Sequence, residues 1–369
     1  MTQLFIGLMS GTSLDGVDGV VVALEADRLN VLAHASAALP STLAIELLAL
    51  NLSGSDELHR SALASNALMH VYAQVVELLL ASSQLQRQQI VAIGAHGQTV
   101  RHQPQMHAGT GYTLQLANPA LLAELTGIDV VADFRSRDVA AGGQGAPLVP
   151  VFHQSVFGKT GQTTAVINIG GMANLTVIGS ANELMGFDCG PGNVLMDTWC
   201  QQNLGQPFDA NGAWAASGQV HAELLSTLLA DPFFALAPPK STGRDLFNRP
   251  WLDKQLQPFT DLTPEDIQAT LLELTSSACA TCVRSYAKNS KNLIVCGGGS
   301  FNLQLMQRLQ ALLPELAVES SDAHGLAAMH VEAAAFAWLA QQTLLRRALD
   351  YCAITGAQGP RVLGAIYPA

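Results

Sequence analysis

Charge is scarce in this chain of 369 residues: Asp, Glu, Lys and Arg together make up 13% of it. Basic charge is scarcer still, with 18 Lys and Arg against 29 Asp and Glu and a formal net charge of −11. That balance argues against a nucleic acid or an anionic membrane held by a broad basic surface. An anionic ligand would have to be met by local Arg or Lys, a metal ion or backbone N–H groups. Long apolar runs are missing, so no membrane span is expected. The first residues, Met1 to Gly7, carry no basic stretch and too short an apolar run for a signal peptide. The six cysteines (Cys189, Cys200, Cys279, Cys282, Cys296 and Cys352) follow no pairing pattern. Cys279-Ala-Thr-Cys282 has no second CxxC and lies in a helix-like run. Reduced thiols in a cytoplasmic protein are the expectation, with neither a zinc site nor a disulfide framework.

Two common nucleotide motifs are also missing. Gly158-Lys159-Thr160 ends like a Walker A loop, but His153 stands where its first glycine is needed. Gly297-Gly298-Gly299 does not continue to the third glycine of a dinucleotide fingerprint, because Asn302 occupies that place.

What is present is apolar: 49% hydrophobic residues and a mean hydropathy of +0.25. Such a chain buries a large core, and its length suggests two domains. Leu4 to Met9 and Val17 to Leu24 read as strands joined by the polar turn Ser10-Gly-Thr-Ser-Leu-Asp-Gly16, a hairpin able to cradle phosphate. Residues 41–51, 59–83 and 117–127 read as helices. A strand over Ile90–Gly94 runs into Ala95-His96-Gly97-Gln98-Thr99, and one over Ile128–Ala132 into Asp133-Phe134-Arg135. Polar groups just past strand ends are where open α/β sheets place their sites. Arg135 leads towards the loop Gly142-Gly-Gln-Gly-Ala-Pro147, and two readings stand for it: a fork for an anionic ligand, or a surface pair with Asp138. A second strand-and-polar-turn unit covers Val166 to Val177, residues 205–265 hold most of the irregular, proline-bearing sequence, and a long helix is expected over Pro264–Ala287. Two readings stand for Lys240-Ser-Thr-Gly-Arg-Asp245, a ligand contact and a structural loop, and the structural one is favoured. The glycines after the strand Leu293–Cys296 would let a flat or anionic ligand approach, and Glu332 opens a helix that runs to about Leu345. Between these lies Gly186-Phe-Asp188-Cys-Gly190-Pro-Gly192-Asn193, read as a strand-to-helix turn. Its Asp188 reads either as a helix cap or as a catalytic base.

Seven motifs in order carry a resemblance. They are Met9-Ser-Gly-Thr-Ser-Leu-Asp-Gly-Val-Asp18, Gly94-Ala-His-Gly-Gln-Thr-Val-Arg-His102, Asp133 through Pro147, Asn168-Ile-Gly-Gly-Met-Ala-Asn-Leu-Thr176, Gly186 through Asn193, Cys296-Gly-Gly-Gly-Ser300 and Glu332-Ala-Ala-Ala-Phe-Ala-Trp338. Together they resemble the anhydro-N-acetylmuramic acid kinase family of the actin, sugar kinase and Hsp70 ATPase superfamily. The resemblance implies an α/β, two-domain ribonuclease H-like (actin-like ATPase) fold with a central ATP and substrate cleft. It places residues 1–130 and 340–369 in one lobe and 131–339 in the other. It implies a phosphotransferase that uses ATP, Mg²⁺ and water to open 1,6-anhydro-N-acetylmuramic acid and phosphorylate O6, in peptidoglycan recycling. Its partners are that small molecule and ATP, with no nucleic acid and no membrane, and a homodimer is the candidate assembly.

By the same resemblance Asp188 is the catalytic base. Gly11, Thr12, Ser13, Leu14, Asp15, Gly16, Val17 and Asp18 form the first phosphate loop. Asn168, Gly170, Gly171 and Asn174 form the second phosphate element, and Gly297, Gly298 and Gly299 lie against the nucleoside. His96, Thr99, Arg135, Gly190, Asn193 and Glu332 hold the sugar. Asp15, Asp18 or Asp188 would position the metal through water. The chain departs from the family pattern at Cys189, where Thr is expected, and at Ala327-Ala-Met-His330, which replaces a proline-containing lead-in. A hexose or amino-sugar kinase of the same superfamily, a non-catalytic ATP-gated module and a glycosidase are the rival readings.

Overall fold

The computed structural model describes residues 2–11, 14–25, 28–104 and 109–369. The chain forms two compact units, one of residues 1–156 with 329–369 and one of residues 157–328.

The first unit is built on β1 (Gln3–Met9), β2 (Gly16–Glu25), β3 (Arg28–Ala38), β4 (Ile90–Ala95) and β7 (Val130–Ala132), with β5 (Gln98–Gln103) and β6 (Tyr112–Leu116) forming a separate ribbon. The sheet order is Ala365–Tyr367, β7, β4, β1, β2, β3. β1 to β3 form an antiparallel meander, while β4 lies parallel to β1 and β7 parallel to β4. Phe5, Ile6, Gly7 and Leu8 are all buried, as a central strand covered on both faces requires. β3 is an unexpected strand. Its inward positions are Leu29, Val31, Ala33, Ala35 and Ala37, and small alanines give alternation little apolar contrast.

The helix Glu57–Ser83 is long and apolar enough, by length and composition, to cross a membrane, contrary to the expectation that nothing would approach a span. Its apolarity has a local cause: Leu68, Met69, Tyr72, Val75, Val76 and Leu79 are buried in the core cluster of the first unit with Val17 and Val21 of β2. The helix Val331–Leu344 lies on β1 and β4. Gly7 and Gly94 are register partners in those strands. A Cβ at Gly7 would overlap the Ala333 carbonyl, and one at Gly94 the Phe336 carbonyl. Two adjacent glycines thus let an alanine-rich helix approach the sheet at backbone distance.

The unit boundaries differ from the expected ones for this reason. A cut at 130/131 would pass through β7, which pairs with β4 and with Ala365–Tyr367. A cut at 339/340 would pass through the helix Val331–Leu344, so Glu332 belongs to the first unit.

The second unit holds β8 (Thr163–Ile169), β9 (Met172–Ile178), β10 (Leu184–Pro191), β11 (Ser290–Cys296) and β12 (Ala317–Ser320) in the order β10-β9-β8-β11-β12. Again an antiparallel meander of three strands is followed by two parallel strands. The chain is two copies of one α/β topology, as the expected two-domain ribonuclease H-like fold requires. One sheet face, with Ile167, Leu175, Phe187, Cys189, Leu293 and Val295, shares a core with the helix Pro264–Tyr286. The proline-bearing stretch 205–265 is more regular than expected. Helices start at Pro232 and Arg249, each with a proline in the first turn and an Asp231 or Asn248 side chain accepting a backbone N–H.

Candidate functional site

In the first unit, β1 and β4 end side by side, with the His96 N–H donating to the Leu8 carbonyl at 3.1 Å. Ser10, just past β1, is buried; its Oγ shares a hydrogen bond with Tyr72 Oη at 2.9 Å and donates to the Gly97 carbonyl at 3.0 Å. Gln98 Nε2 donates to the Gly11 carbonyl at 3.1 Å, so the candidate phosphate loop is tied to the β4–β5 turn. Leu14 adopts the left-handed conformation at φ 61°. Gly16 and Val17 open β2, and Val17 is buried. Thr12 and Ser13 lie outside the described residues.

Asp15 accepts the Leu39 N–H at its carbonyl, 3.1 Å away. Asp18 lies 3.5 Å from His34 Nε2, which in turn stacks on His330 at 4.6 Å between ring centroids. Burial raises the Asp18 carboxyl above its usual range, His34 opposes the rise, and the Asp15 charge adds to it. Asp15 and Asp18 supply carboxylate oxygens, the donor type taken by a hard cation that keeps its waters, such as Mg²⁺. No three His, Cys, Asp or Glu side chains gather into a metal-binding group among the described residues, so the remaining ligands would be water and ligand oxygens.

Arg135 is held by its own unit. Nε and Nη2 donate to His96 Nε2 at 3.1 and 3.0 Å, and Nη1 donates to the Gly145 carbonyl at 2.8 Å. His96 is 5% exposed and packs on Phe336 at 4.7 Å. Burial first and the Arg135 charge second hold its imidazole well below the usual range, so His96 is neutral and accepts from Arg135. His96 therefore aims Arg135. The surface Arg135–Asp138 pair is not what forms. Asp138 is buried, and its carboxylate takes the Gly145 N–H at 2.7 Å and the Thr355 hydroxyl at 2.8 Å. Sequence reasoning missed that role for Asp138, although a carboxylate beside a glycine-rich loop was the available signal. Thr99 Oγ1 accepts from Gln115 Nε2 at 3.2 Å, and Glu332 stands in the first turn of Val331–Leu344. His102, whose Nδ1 meets Thr113 Oγ1 at 3.0 Å, is pushed down to about 4 by burial and by Arg135.

In the second unit, β8 and β11 run parallel, and their carboxyl ends meet at the register pair Asn168 and Cys296. Asn168 is buried and pairs across the hairpin with Asn174, whose Oδ1 is buried with no partner among the described residues. The Gly170 carbonyl accepts the Asn193 N–H at 2.8 Å and the Gly171 carbonyl the Gly192 N–H at 2.9 Å. Asn193 Nδ2 adds a bond to the Ile169 carbonyl at 3.2 Å. Gly297, at φ 79°, has no room for a side chain, because a Cβ would overlap Asn168 Oδ1. A Cβ at Gly299 would stand 2.5 Å from Ile169 Cγ2, whereas one at Gly298 would meet nothing nearer than Asn193 Nδ2 at 3.7 Å. The candidate phosphate element Asn168–Asn174, the end of β10 with Gly192 and Asn193, and the triple-glycine loop thus come together at one end of this sheet.

Asp188 belongs to the strand β10, not to a strand-to-helix turn, and the cap of the following helix Val194–Leu204 is Asn193. The helix-cap reading of Asp188 therefore falls. Asp188 is 6% exposed; its Oδ2 accepts the Thr242 N–H at 2.8 Å, and its own N–H donates to the Lys240 carbonyl at 3.0 Å. The loop Lys240–Asp245, for which a structural role is the favoured expectation, reaches the candidate base. Gly190 has φ 148° and lies against Phe234, whose Cε1 would be 2.7 Å from an added Cβ. Cys189 is buried, with Cys279 and Cys282 as thiol partners, and hydrogen bonding to Cys279 is the largest cause raising it well above the usual thiol range. All six cysteines are free. A polar cavity of about 480 Å³ in this unit, bordered by Lys159, Lys291 and His324, includes none of the candidate site residues.

A family model described as anhydro-N-acetylmuramic acid kinase matches residues 3–369. A protein named anhydro-N-acetylmuramic acid kinase from Albidiferax ferrireducens is 62% identical, with 100% of each chain covered. One of the same name from Variovorax paradoxus is 59% identical, covering 100% of this chain and 99% of the relative. Among solved structures, a ROK family glucokinase from Streptomyces griseus in complex with glucose and AMPPNP is 15% identical. It covers 92% of this chain and 99% of its own at a TM-score of 0.42. The activator of 2-hydroxyisocaproyl-CoA dehydratase from Clostridium difficile, with bound ADPNP, is 12% identical at a TM-score of 0.47, covering 95% of this chain and 99% of its own.

Proposed function

This chain belongs to the anhydro-N-acetylmuramic acid kinase family, and on that premise we propose that it is an ATP-dependent phosphotransferase of peptidoglycan recycling in the cytoplasm. It takes 1,6-anhydro-N-acetylmuramic acid, ATP and water to N-acetylmuramic acid 6-phosphate and ADP. The observation that supports this most directly is Asp188: a carboxylate 6% exposed, held by a backbone N–H on the strand that leads into the Gly190–Asn193 turn.

Opening the anhydro bridge needs a nucleophile at C1 and somewhere for the electrons on O6 to go. Glycosidases supply a base on one side and an acid on the other. Here Asp188 removes a proton from the attacking water, the C1–O6 bond breaks, and O6 takes the γ-phosphoryl group in place of a proton. ADP leaves with the electrons of the broken phosphoanhydride bond. Arg135, aimed by neutral His96, meets the substrate carboxylate through a forked guanidinium. Thr99 and Glu332 are the further sugar-holding candidates of the first unit, and Gly190 and Asn193 those of the second. The loop Gly11–Asp18 and the Asn168–Asn174 hairpin hold the phosphates by backbone N–H groups, and Gly297–Gly299 lie against the nucleoside. Mg²⁺, positioned by Asp15 and Asp18, would neutralise charge on the transferring group.

Mass spectrometry of the product made in ¹⁸O-water tests this. One label at C1 together with phosphate on O6 is the expected result. Phosphorylation without uptake of water would instead assign an ordinary sugar kinase.

A further inference from the structure

We infer that Lys240–Thr242 is a strap that orients Asp188, with Lys240 as its positioning residue. β10 is the edge strand of its sheet, so the backbone groups on its outer side need partners. The strap supplies them at the candidate base itself: the Lys240 carbonyl takes the Asp188 N–H at 3.0 Å, and the Thr242 N–H reaches Asp188 Oδ2 at 2.8 Å. Main chain and carboxylate are therefore gripped from one short segment. The Thr242 hydroxyl is buried with no partner among the described residues, so the grip comes from its backbone N–H and not from its side chain.

The strap is itself anchored. Lys240 is 6% exposed and makes no ion pair among the described residues, an unusual place for an ammonium. Its Nζ donates to the Phe233 carbonyl at 3.2 Å and lies 4.6 Å from the centroid of the Phe233 ring. Phe233 is packed on Phe247 at 5.5 Å, and the next residue, Phe234, is the one that faces Gly190. One short helix, Pro232–Ala235, thus fixes the strap and borders the turn that follows the base. The titratable neighbours of this arrangement include the buried thiols of Cys189, Cys279 and Cys282; the Asp188 charge raises Cys189, and the Lys240 charge opposes the rise of Cys282. Cys189 and Cys282 are held above the usual thiol range and stay protonated. The thiols therefore add no ionisation to the acid limb of the pH–rate profile.

A hydrogen bond to the charged form of a carboxylate lowers its pKa. Loosening the strap raises it, so the acid limb moves to higher pH. Lys240→Met keeps the stem and removes the ammonium, which has no ion-pair partner among the described residues to be left buried and uncompensated. Its expected outcome is a roughly tenfold loss of kcat with KM for sugar and ATP held within about twofold. Its acid limb moves up by roughly half a pH unit to one unit. Thr242→Pro, which lacks the donating N–H, gives a larger shift and about a hundredfold loss. A folded Lys240→Met or Thr242→Pro enzyme with wild-type kcat and acid limb overturns the strap, even if its melting temperature falls. The inference rests on Asp188 as the base. An active Asp188→Asn variant would sink that premise, whereas an inactive Asp188→Asn beside an unchanged Lys240→Met sinks only the strap.

Discussion

At the scale of single residues, burial decides which groups carry charge. Asp188 is the sharpest case. Asn at this position keeps the acceptor for the Thr242 N–H and the shape of β10, but cannot take a proton from water. Asp188→Asn is expected to melt like the wild type, to bind ATP and sugar, and to lose about 10³-fold in turnover, within the range for a general base. Turnover within a few-fold of wild type would remove Asp188 from that role. His102 gives a second prediction with a definite sign. Its folded pKa, about 4, lies below the model-peptide value of 6.5, so on acidification the unfolded chain binds this proton first. Stability from neutral His102 is complete above pH 6.5 and is lost as pH falls towards 4. His102→Asn should therefore flatten the decline of unfolding free energy in that window by about one proton. Denaturant midpoints of both proteins at pH 7 and pH 5 check it: the wild type must lose more. The candidate site was legible at this scale wherever chemistry is written in side chains or glycines, as at Asp188, Arg135 and Gly297. It was not legible where the working group is a backbone N–H. Thr242 reaches Asp188 through its main chain, and no residue type announces that.

At the scale of elements, close approach is bought with glycine. Gly7 and Gly94 stand side by side, each beneath a backbone carbonyl of the helix Val331–Leu344. A methyl group at either place can be fitted only by lifting the helix, because the obstacle is main chain and not a flexible side chain. Gly94→Ala is expected to cost about 3 kcal/mol, the upper part of the range for overpacked cores. Chemical denaturation measures this, and a loss under about 1 kcal/mol would show that the helix shifts freely. The same helix carries Glu332 in its first turn, so the sugar KM should rise in this variant together with the loss of stability. Most elements were readable from period and punctuation, including β1, β2, β8, β9 and the helices Glu57–Ser83 and Pro264–Tyr286. β3 was not, because alanines fill three of its inward positions. β10 was misread because its glycines, Gly186 and Gly190, look like a turn. Gly190 is there for another reason: at this residue the strand passes against the Phe234 ring with no room for a side chain.

At the scale of the whole molecule, the chain repeats one topology, but the two copies are not laid down alike. The second unit is continuous, residues 157–328; the first is completed only by residues 329–369. The motif order on which the resemblance rests made the duplicated fold legible. It did not make the boundaries legible, because no composition change marks residues 156/157 or 328/329, and β7 and the helix Val331–Leu344 owe their place to non-local pairing. This difference has a consequence in solution. Residues 157–328 contain all five strands of their sheet, with the helix Pro264–Tyr286 that shares a core with one face of it. That segment has a core of its own and should fold alone with a single cooperative thermal transition. The segment 131–339, cut at the boundaries first expected, adds the last two residues of β7 without their partner strands and the first nine of the helix Val331–Leu344 without the sheet beneath it. Its added ends are apolar and uncovered, so it should aggregate on heating where 157–328 unfolds reversibly. Circular dichroism with light scattering on the two segments decides the matter. Equal, reversible melting would mean that the helix Val331–Leu344 does not depend on the first sheet, against the close contacts at Gly7 and Gly94.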